Sequence, residues 1–162
     1  MKKFVYSFVL TTFLVGCADS TSNSISPNWN RRESKDQFTD KKSLVYLLKQ
    51  PGKLSTDPLL AIVCHEDKRF TIDWMVDQKA PVLGGMDLPV SMRVDDGQVI
   101  DQNWKWQSWG TYITPPDQDM FIKTVSGARK LVLRENITQM ISEFDISGIN
   151  KVIKETKTFC GK

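Results

Sequence analysis

The sequence of 162 residues is poor in the residues that build catalytic and metal sites. It has one histidine, His65, and three cysteines. A single histidine has no second imidazole beside it to complete a metal site, and no Gly-x-Ser-x-Gly motif of a serine hydrolase is present. Paired carboxylates placed for glycoside hydrolysis are not evident either. We therefore expect a protein that is not an enzyme and that carries no metal and no cofactor.

The chain also lacks a strong excess of either charge. Its 22 basic and 19 acidic side chains give a formal net charge of +3. Lys2 and Lys3 lie in a segment that we expect to be removed, which leaves 20 basic side chains against 19 acidic ones. Proteins that bind nucleic acid by its phosphates carry a clear basic excess. We therefore expect no nucleic-acid partner.

The N-terminus has the layout of an export signal. Two lysines are followed by an apolar run, 4–15, which is too short to span a bilayer as a stable helix. The run ends in Leu14-Val15-Gly16-Cys17, which resembles a bacterial lipobox. The resemblance implies cleavage before Cys17 and attachment of acyl chains to that cysteine. The alternative is an ordinary signal peptide with a chance cysteine.

The residue after the cysteine indicates the destination of the protein. Ala18 stands where the resemblance to enterobacterial lipoproteins would place aspartate for retention in the inner membrane. We therefore expect a protein that is lipid-anchored on the periplasmic face of the outer membrane. Several acyl chains anchor a protein durably because each buried methylene contributes about 0.8 kcal/mol.

The segment after Cys17 is polar and the next segment is apolar. Residues 18–30 are rich in Ser, Thr and Asn, and residues 31–42 are highly charged, so we predict a lipid-anchored flexible tether over 17–40. A helix is predicted over 41–50, with Asp40 as its cap and Pro51-Gly52 as its end. Its apolar residues are Leu44, Val45, Leu47 and Leu48.

From residue 59 the pattern changes to short strands separated by turns. Strands are predicted over 60–64, 69–75, 89–94, 98–109, 111–114, 130–134 and 139–145. Asp95-Asp96-Gly97 is a strong hairpin turn signal. One helix is predicted over 117–126, with Met120, Phe121 and Val125 buried, and Ser147 is predicted to cap a last helix that ends near Cys160. The predicted fold class is α+β, an antiparallel β-sandwich or a curved sheet with a mid-domain and a C-terminal helix.

The cysteine count predicts one disulfide. If Cys17 is lipidated, Cys64 and Cys160 remain as an even pair in an oxidising compartment. We expect them to link the first strand of the domain to its last helix. The predicted organisation is a lipoprotein signal peptide over 1–16, the tether over 17–40 and a disulfide-linked α+β domain over 41–162.

Aromatic residues cluster in one stretch and are the predicted partner-binding surface. Trp104, Trp106, Trp109 and Tyr112 fall close together, and Arg93 lies on the preceding strand. Large aromatic side chains are common anchors of protein interfaces. The alternative is that one or two of them belong to the core.

The order of these elements resembles the VasI/TagO family, periplasmic accessory proteins of type VI secretion. The features that carry the resemblance are a strand ending in Cys64, the strand Phe70 to Trp74, Val90-Ser91-Met92-Arg93, Leu131-Val132-Leu133-Arg134, and Phe144-Asp145-Ile146-Ser147-Gly148-Ile149 before a helix that ends at Cys160. The resemblance implies a non-enzymatic envelope protein that binds a protein partner as an accessory of a type VI-like machine.

Two other functions fit the predicted lipoprotein. Ser126-Gly127 is similar to the loop with which membrane-bound lysozyme inhibitors enter the enzyme's cleft, although Lys130 stands where that family has tyrosine. A phage- or plasmid-encoded exclusion lipoprotein, which masks a surface receptor, is also compatible with the sequence.

Overall fold

A computed structural model of the chain describes residues 28–50, 59–76, 85–107 and 112–162. The predicted signal peptide, the lipidation site Cys17, the first part of the predicted tether and Trp109 lie outside these ranges. The statements below refer to the described residues.

The described chain forms nine strands and two helices. The strands are β1 (Trp29–Lys35), β2 (Lys42–Lys49), β3 (Leu59–Cys64), β4 (Phe70–Met75), β5 (Asp87–Val94), β6 (Ile100–Trp106), β7 (Tyr112–Thr114), β8 (Lys130–Glu135) and β9 (Ile141–Asp145). The helices are α1 (Gln118–Val125) and α2 (Ile149–Phe159). Neither helix has the length and apolar character needed to cross a membrane.

All nine strands belong to one antiparallel sheet in the order β1-β2-β3-β4-β7-β6-β5-β8-β9. The predicted α+β class is therefore confirmed in its coarse form, with an antiparallel sheet, a mid-domain helix and a C-terminal helix. The described strands form one continuous sheet and do not divide into two hydrogen-bonded sheets, so the predicted sandwich is confirmed only in part.

The sheet is strongly curved. Nine flat strands spaced by about 4.8 Å would hold the two edges about 38 Å apart. In the structure, Nδ2 of Asn28, just before β1, donates to Oδ2 of Asp145 at the end of β9 over 2.8 Å. The indole Nε1 of Trp29 also donates to the carbonyl of Ser147 over 3.1 Å. The two edges therefore meet at these points, and the sheet has a concave inner face and a convex outer face.

The inner face holds the hydrophobic core. Period-two alternation along each strand places one set of apolar side chains on this face, as in Leu44, Tyr46 and Leu48 of β2, all buried. Both helices pack there. α1 contributes Phe121 and Val125, and α2 contributes the residues Ile149, Val152, Ile153 and Thr156.

The predicted disulfide is confirmed. Cys64 at the end of β3 is bonded to Cys160 after α2, with their Cα atoms 5.7 Å apart. β3 is the third strand of the sheet rather than the first, so the bond links a central strand to the last helix.

Two sequence predictions before residue 50 are wrong. Residues 29–35 form β1 instead of continuing the tether, because every residue of β1 pairs with β2 through its backbone. Residues 42–49 form β2 instead of a helix. Leu44 and Leu48 fit both a helical and a strand period, and pairing with β1 and β3 on both sides selects the strand.

The elements after residue 59 agree with prediction, apart from details. Met120 of α1 is exposed rather than buried. Gly148, with φ of 83°, occupies the cap position of α2 in place of Ser147. A left-handed conformation suits glycine, which has no Cβ. In the β5–β6 turn, Asp95 has the positive φ and the amide of Gly97 donates to the carbonyl of Val94.

Candidate functional site

The predicted aromatic surface is mostly core. Trp104 is 0% exposed and Trp106 is 6% exposed, so neither can anchor a partner. The ring of Trp104 makes edge contacts with Trp74 and Phe121, at centroid distances of 6.3 and 5.8 Å. These neighbours come from β4 and α1, which are not adjacent to β6 in sequence. Their contacts with the indole place it on the inner face.

The remaining predicted contact residues are separated. Tyr112 of β7 is partly buried, Trp109 lies outside the described residues, and Arg93 of β5 is exposed on the outer face. Arg93 is therefore the one predicted contact residue that the described structure places fully on the surface. It lies in a depression of the outer face.

We call this depression the arginine groove. It encloses about 140 Å³. Its outer-face lining consists of Ser91, Arg93, Val99, Val132, Arg134 and Ile141. These residues come from β5, β8, β9 and the β5–β6 turn, so a single sheet surface positions all of them.

The register of the sheet explains why these side chains meet. Ser91 pairs with Arg134, and Arg134 pairs with Ile141, so the three form one row across β5, β8 and β9. In the next row of the same face, Arg93 pairs with Val132. Each row therefore combines an arginine with an aliphatic residue, and the two arginines are diagonal neighbours about 7–8 Å apart at their backbones.

Neutral acceptors hold both guanidinium groups. Nε of Arg93 donates to the carbonyl of Gly97 over 3.1 Å. Nε of Arg134 donates to Oδ1 of Asn136 over 2.9 Å, and its Nη2 donates to Oγ of Ser91 over 3.3 Å. Within the described part of the chain, neither arginine has a carboxylate within 4.0 Å.

The nearest acidic residues in the same rows are otherwise engaged. Asp101, opposite Ser91, accepts the hydroxyl of that serine over 2.5 Å. Glu143, opposite Val132, forms an ion pair with Nζ of Lys130 over 2.8 Å. Neither Arg93 nor Arg134 therefore forms an ion pair with a described side chain.

The floor of the groove is apolar and open to solvent. Val99 is 56% exposed and Ile141 is 57% exposed, and Val132 between them is partly buried. Exposed aliphatic side chains gathered beside charged ones are typical of protein-binding surfaces.

Two larger hollows offer less chemistry. One of about 230 Å³ at the start of α2 is lined by Gly127 to Arg129 and Ser147 to Asn150. One of about 380 Å³ lies where Asn28 meets Asp145, and it reaches Gln50, next to undescribed residues. In the first hollow, Nδ2 of Asn150 donates to Oγ of Ser126 over 3.3 Å, and in the second, Nδ2 of Asn28 donates to Oδ2 of Asp145.

A polar network lies further along the outer face, around β4. The hydroxyls of Thr71 and Thr114 donate to the two carboxylate oxygens of Asp73, both over 2.7 Å. The hydroxyl of Thr71 has one proton, which it donates to Asp73. The hydroxyl oxygen of Thr71 therefore accepts a hydrogen bond from Nε2 of His65 over 2.9 Å. Nε2 of Gln107 completes the chain by donating to Thr114 over 3.2 Å. Asp73 and both threonines are buried.

This network does not have the order of a catalytic triad. In a triad the histidine lies between the carboxylate and the hydroxyl, whereas here the hydroxyl of Thr71 lies between His65 and Asp73. Burial lowers the pKa of His65, and the positive charge of Arg69 lowers it further. The network therefore holds a neutral histidine that donates a hydrogen bond.

Two other sequence predictions concern sites that the structure describes in part. The described residues contain no group of three or more His, Cys, Asp and Glu side chains able to hold a metal ion. Ser126-Gly127 ends α1, with Ser126 as its C-cap and Gly127 at φ of 76°. Both residues are exposed.

Sequence analysis missed five groove residues, namely Ser91, Val99, Val132, Arg134 and Ile141. One signal was present. Leu131 and Leu133 alternate with Val132 and Arg134, so β8 carries a valine on the face where alternation calls for a polar residue. That exception marks the outer face as partly apolar.

The comparisons with known proteins found no match among protein-family models, curated proteins or solved structures.

Proposed function

We propose that this protein is a non-enzymatic envelope lipoprotein that binds a protein partner through the arginine groove. The observation that carries the proposal is the groove itself, where exposed Val99 and Ile141 lie beside Arg93 and Arg134. Arginine is enriched at the centres of protein interfaces, and aliphatic neighbours supply area that a partner can bury. The contact surface thus moves from the buried tryptophans to the outer face.

The N-terminal sequence supports a lipid anchor. Leu14-Val15-Gly16-Cys17 follows an apolar run, and Ala18 favours the outer membrane, with the domain on the periplasmic side. The Cys64–Cys160 disulfide fits an oxidising compartment of this kind. The described domain begins at Asn28, so residues 18–27 are the proposed connection between it and the membrane.

The resemblance to the VasI/TagO family supports an accessory role in a type VI-like secretion system. The resemblance rests on strand and cysteine positions and on Phe144-Asp145-Ile146-Ser147-Gly148-Ile149. A protein of this kind acts by contact with other envelope proteins.

The test is a crosslinking pull-down of the full chain from its native envelope, with mass spectrometry of the captured proteins. We expect secretion-machine components to be captured by the wild-type chain and lost from Arg93→Glu. The matched control is Arg32→Glu, because Arg32 is also exposed on the outer face and its Nε also donates to a neutral oxygen, Oδ1 of Asn30, over 3.3 Å.

The identity of the captured protein decides between the candidate functions. Capture of a lysozyme would replace the proposal with an inhibitor, and capture of a single outer-membrane receptor would replace it with an exclusion lipoprotein. Equal capture by Arg93→Glu and Arg32→Glu would show that the partner does not use the groove.

A further inference from the structure

We infer that the arginine groove binds an extended segment of its partner in which an acidic side chain lies next to an aliphatic one. This inference rests on the proposed function and names the chemistry of the segment that the site accepts.

The charges of the groove favour a carboxylate. Arg93 and Arg134 are diagonal neighbours on adjacent strands, so two positive charges share one stretch of the outer face. The acidic residues of the same rows, Asp101 and Glu143, are held by Ser91 and Lys130. A carboxylate from outside would supply the ion-pair partner that both arginines lack among the described residues, and guanidinium groups bind carboxylates with paired, charge-assisted hydrogen bonds.

The guanidinium groups are already in position. Gly97 holds Arg93, and Asn136 with Ser91 holds Arg134. The polar atom of Ser91 lies in a side chain that is itself 5% exposed, so it is a fixed acceptor rather than a mobile surface group. Side chains that are ordered before binding lose less conformational entropy when the partner arrives.

The apolar floor selects a peptide over a free anion. Ile141 is the direct cross-strand neighbour of Arg134, and Val132 is that of Arg93. A segment that places a carboxylate between the arginines therefore brings its adjacent side chain over the aliphatic residues, including Val99. An inorganic anion would contact the arginines alone and leave this surface in water.

The experiment measures binding of two fluorescein-labelled peptides to the full chain by fluorescence anisotropy. One peptide is Gly-Leu-Glu-Leu-Gly with a blocked C-terminus, and the other has glutamine in place of glutamate. We expect the glutamate peptide to bind about tenfold more tightly, a difference of about 1.4 kcal/mol, since guanidinium groups form charge-assisted hydrogen bonds with a carboxylate and not with an amide. The preference should disappear in Arg93→Gln/Arg134→Gln and persist in Arg32→Gln.

Three results would overturn the inference. They are equal binding of the two peptides, no binding of either peptide to the wild-type chain, and displacement of the glutamate peptide by inorganic phosphate at a concentration similar to that of unlabelled peptide. Unchanged thermal unfolding of the double variant would show that loss of binding is not loss of folding.

A second measurement separates failure of this inference from failure of the proposed function. A photo-crosslinking amino acid at position 141 reports whether a partner enters the groove. Capture that survives Arg93→Gln/Arg134→Gln would retain the function and reject the acidic segment. Absence of capture at position 141 would reject the groove as the binding site, and with it both proposals. Capture that is lost in the double variant would support both.

Discussion

The two faces of the sheet differ in how their side chains are used. The inner face buries Trp74, Trp104 and Phe121 against each other, and the Cys64–Cys160 disulfide fixes α2 over it. The outer face holds polar networks and an open groove. Residues of one strand contribute to both, because successive side chains of a strand point to opposite faces.

Because the two faces are used differently, substitutions can change stability and binding separately. In β5, Met92 is buried in the core while its neighbours Ser91 and Arg93 line the groove. A substitution on the inner face should lower the free energy of unfolding and disturb binding only through the fold. A substitution of an exposed groove residue should alter binding and leave the fold intact.

The largest effect is expected from removal of the disulfide. Cys64 and Cys160 are separated by 96 residues, and closing a loop of that length contributes about 4–5 kcal/mol in the chain-entropy account. Urea unfolding of Cys64→Ala/Cys160→Ala should show a loss approaching that size. An unchanged midpoint would mean that inner-face packing alone holds α2, and the wild-type chain with dithiothreitol is a second route to the same comparison.

The next effect is expected from Trp104→Ala. Truncating a fully buried tryptophan leaves a cavity and costs about 3–5 kcal/mol. The matched control is Asn103→Ala on the same strand, because Asn103 is exposed on the outer face. Urea unfolding should separate the two variants by several kcal/mol. Similar losses in both would contradict the assignment of Trp104 to the core and of Asn103 to the surface.

The sequence predicts the part of the fold whose signals are local. The strands β3 and β4, the turn at Asp95, both helices and the disulfide follow from alternation, turn residues and cysteine count. β1 and β2 do not. Leu44 and Leu48 fit both the helical and the strand period. The charged residues of β1 have the composition of a tether, and only their backbone pairing with β2 makes them a strand.

The candidate site was harder to predict because alternation does not say which face is buried. Trp104 and Trp106 are two residues apart on a strand and so lie on one face, and their cross-strand neighbours decide that this face is the core. Trp104 lies opposite Leu88, which is also buried. The groove was missed because Arg93 and Arg134 come together only through the pairing of β5 with β8, which joins distant segments.

A smaller effect concerns pH and the polar network of the outer face. Burial lowers the pKa of His65 in the folded chain below the value of about 6.5 expected when unfolded. The unfolded chain then takes up the proton first, so stability should fall as pH drops below about 6.5 and level off beneath the folded pKa. Urea titrations between pH 5 and 8 should show this decline in the wild-type chain.

The matched variant for this effect is His65→Gln, whose amide can still donate to Thr71. It should lose the decline between pH 5 and 8. Losses at lower pH should remain, because hydrogen bonds from Thr39 and Ser147 lower the pKa of Asp36 and Asp145, and those carboxylates are protonated only in more acidic solution. Equal slopes for both chains would assign the decline to another group.

The smallest effect is expected in the groove and has the opposite sign. Arg93→Gln removes one of two positive charges on adjacent strands, so we expect the free energy of unfolding to rise by up to about 0.5 kcal/mol at low ionic strength. In 1 M salt, where screening acts over about 3 Å, the gain should vanish. Arg32→Gln should show no such gain.

An Arg93→Gln variant that is slightly more stable yet unable to bind would show that the two arginines serve binding, because the fold is more stable without one of them. A clear loss of stability in Arg93→Gln would instead assign Arg93 to the support of the β5–β6 turn through Gly97.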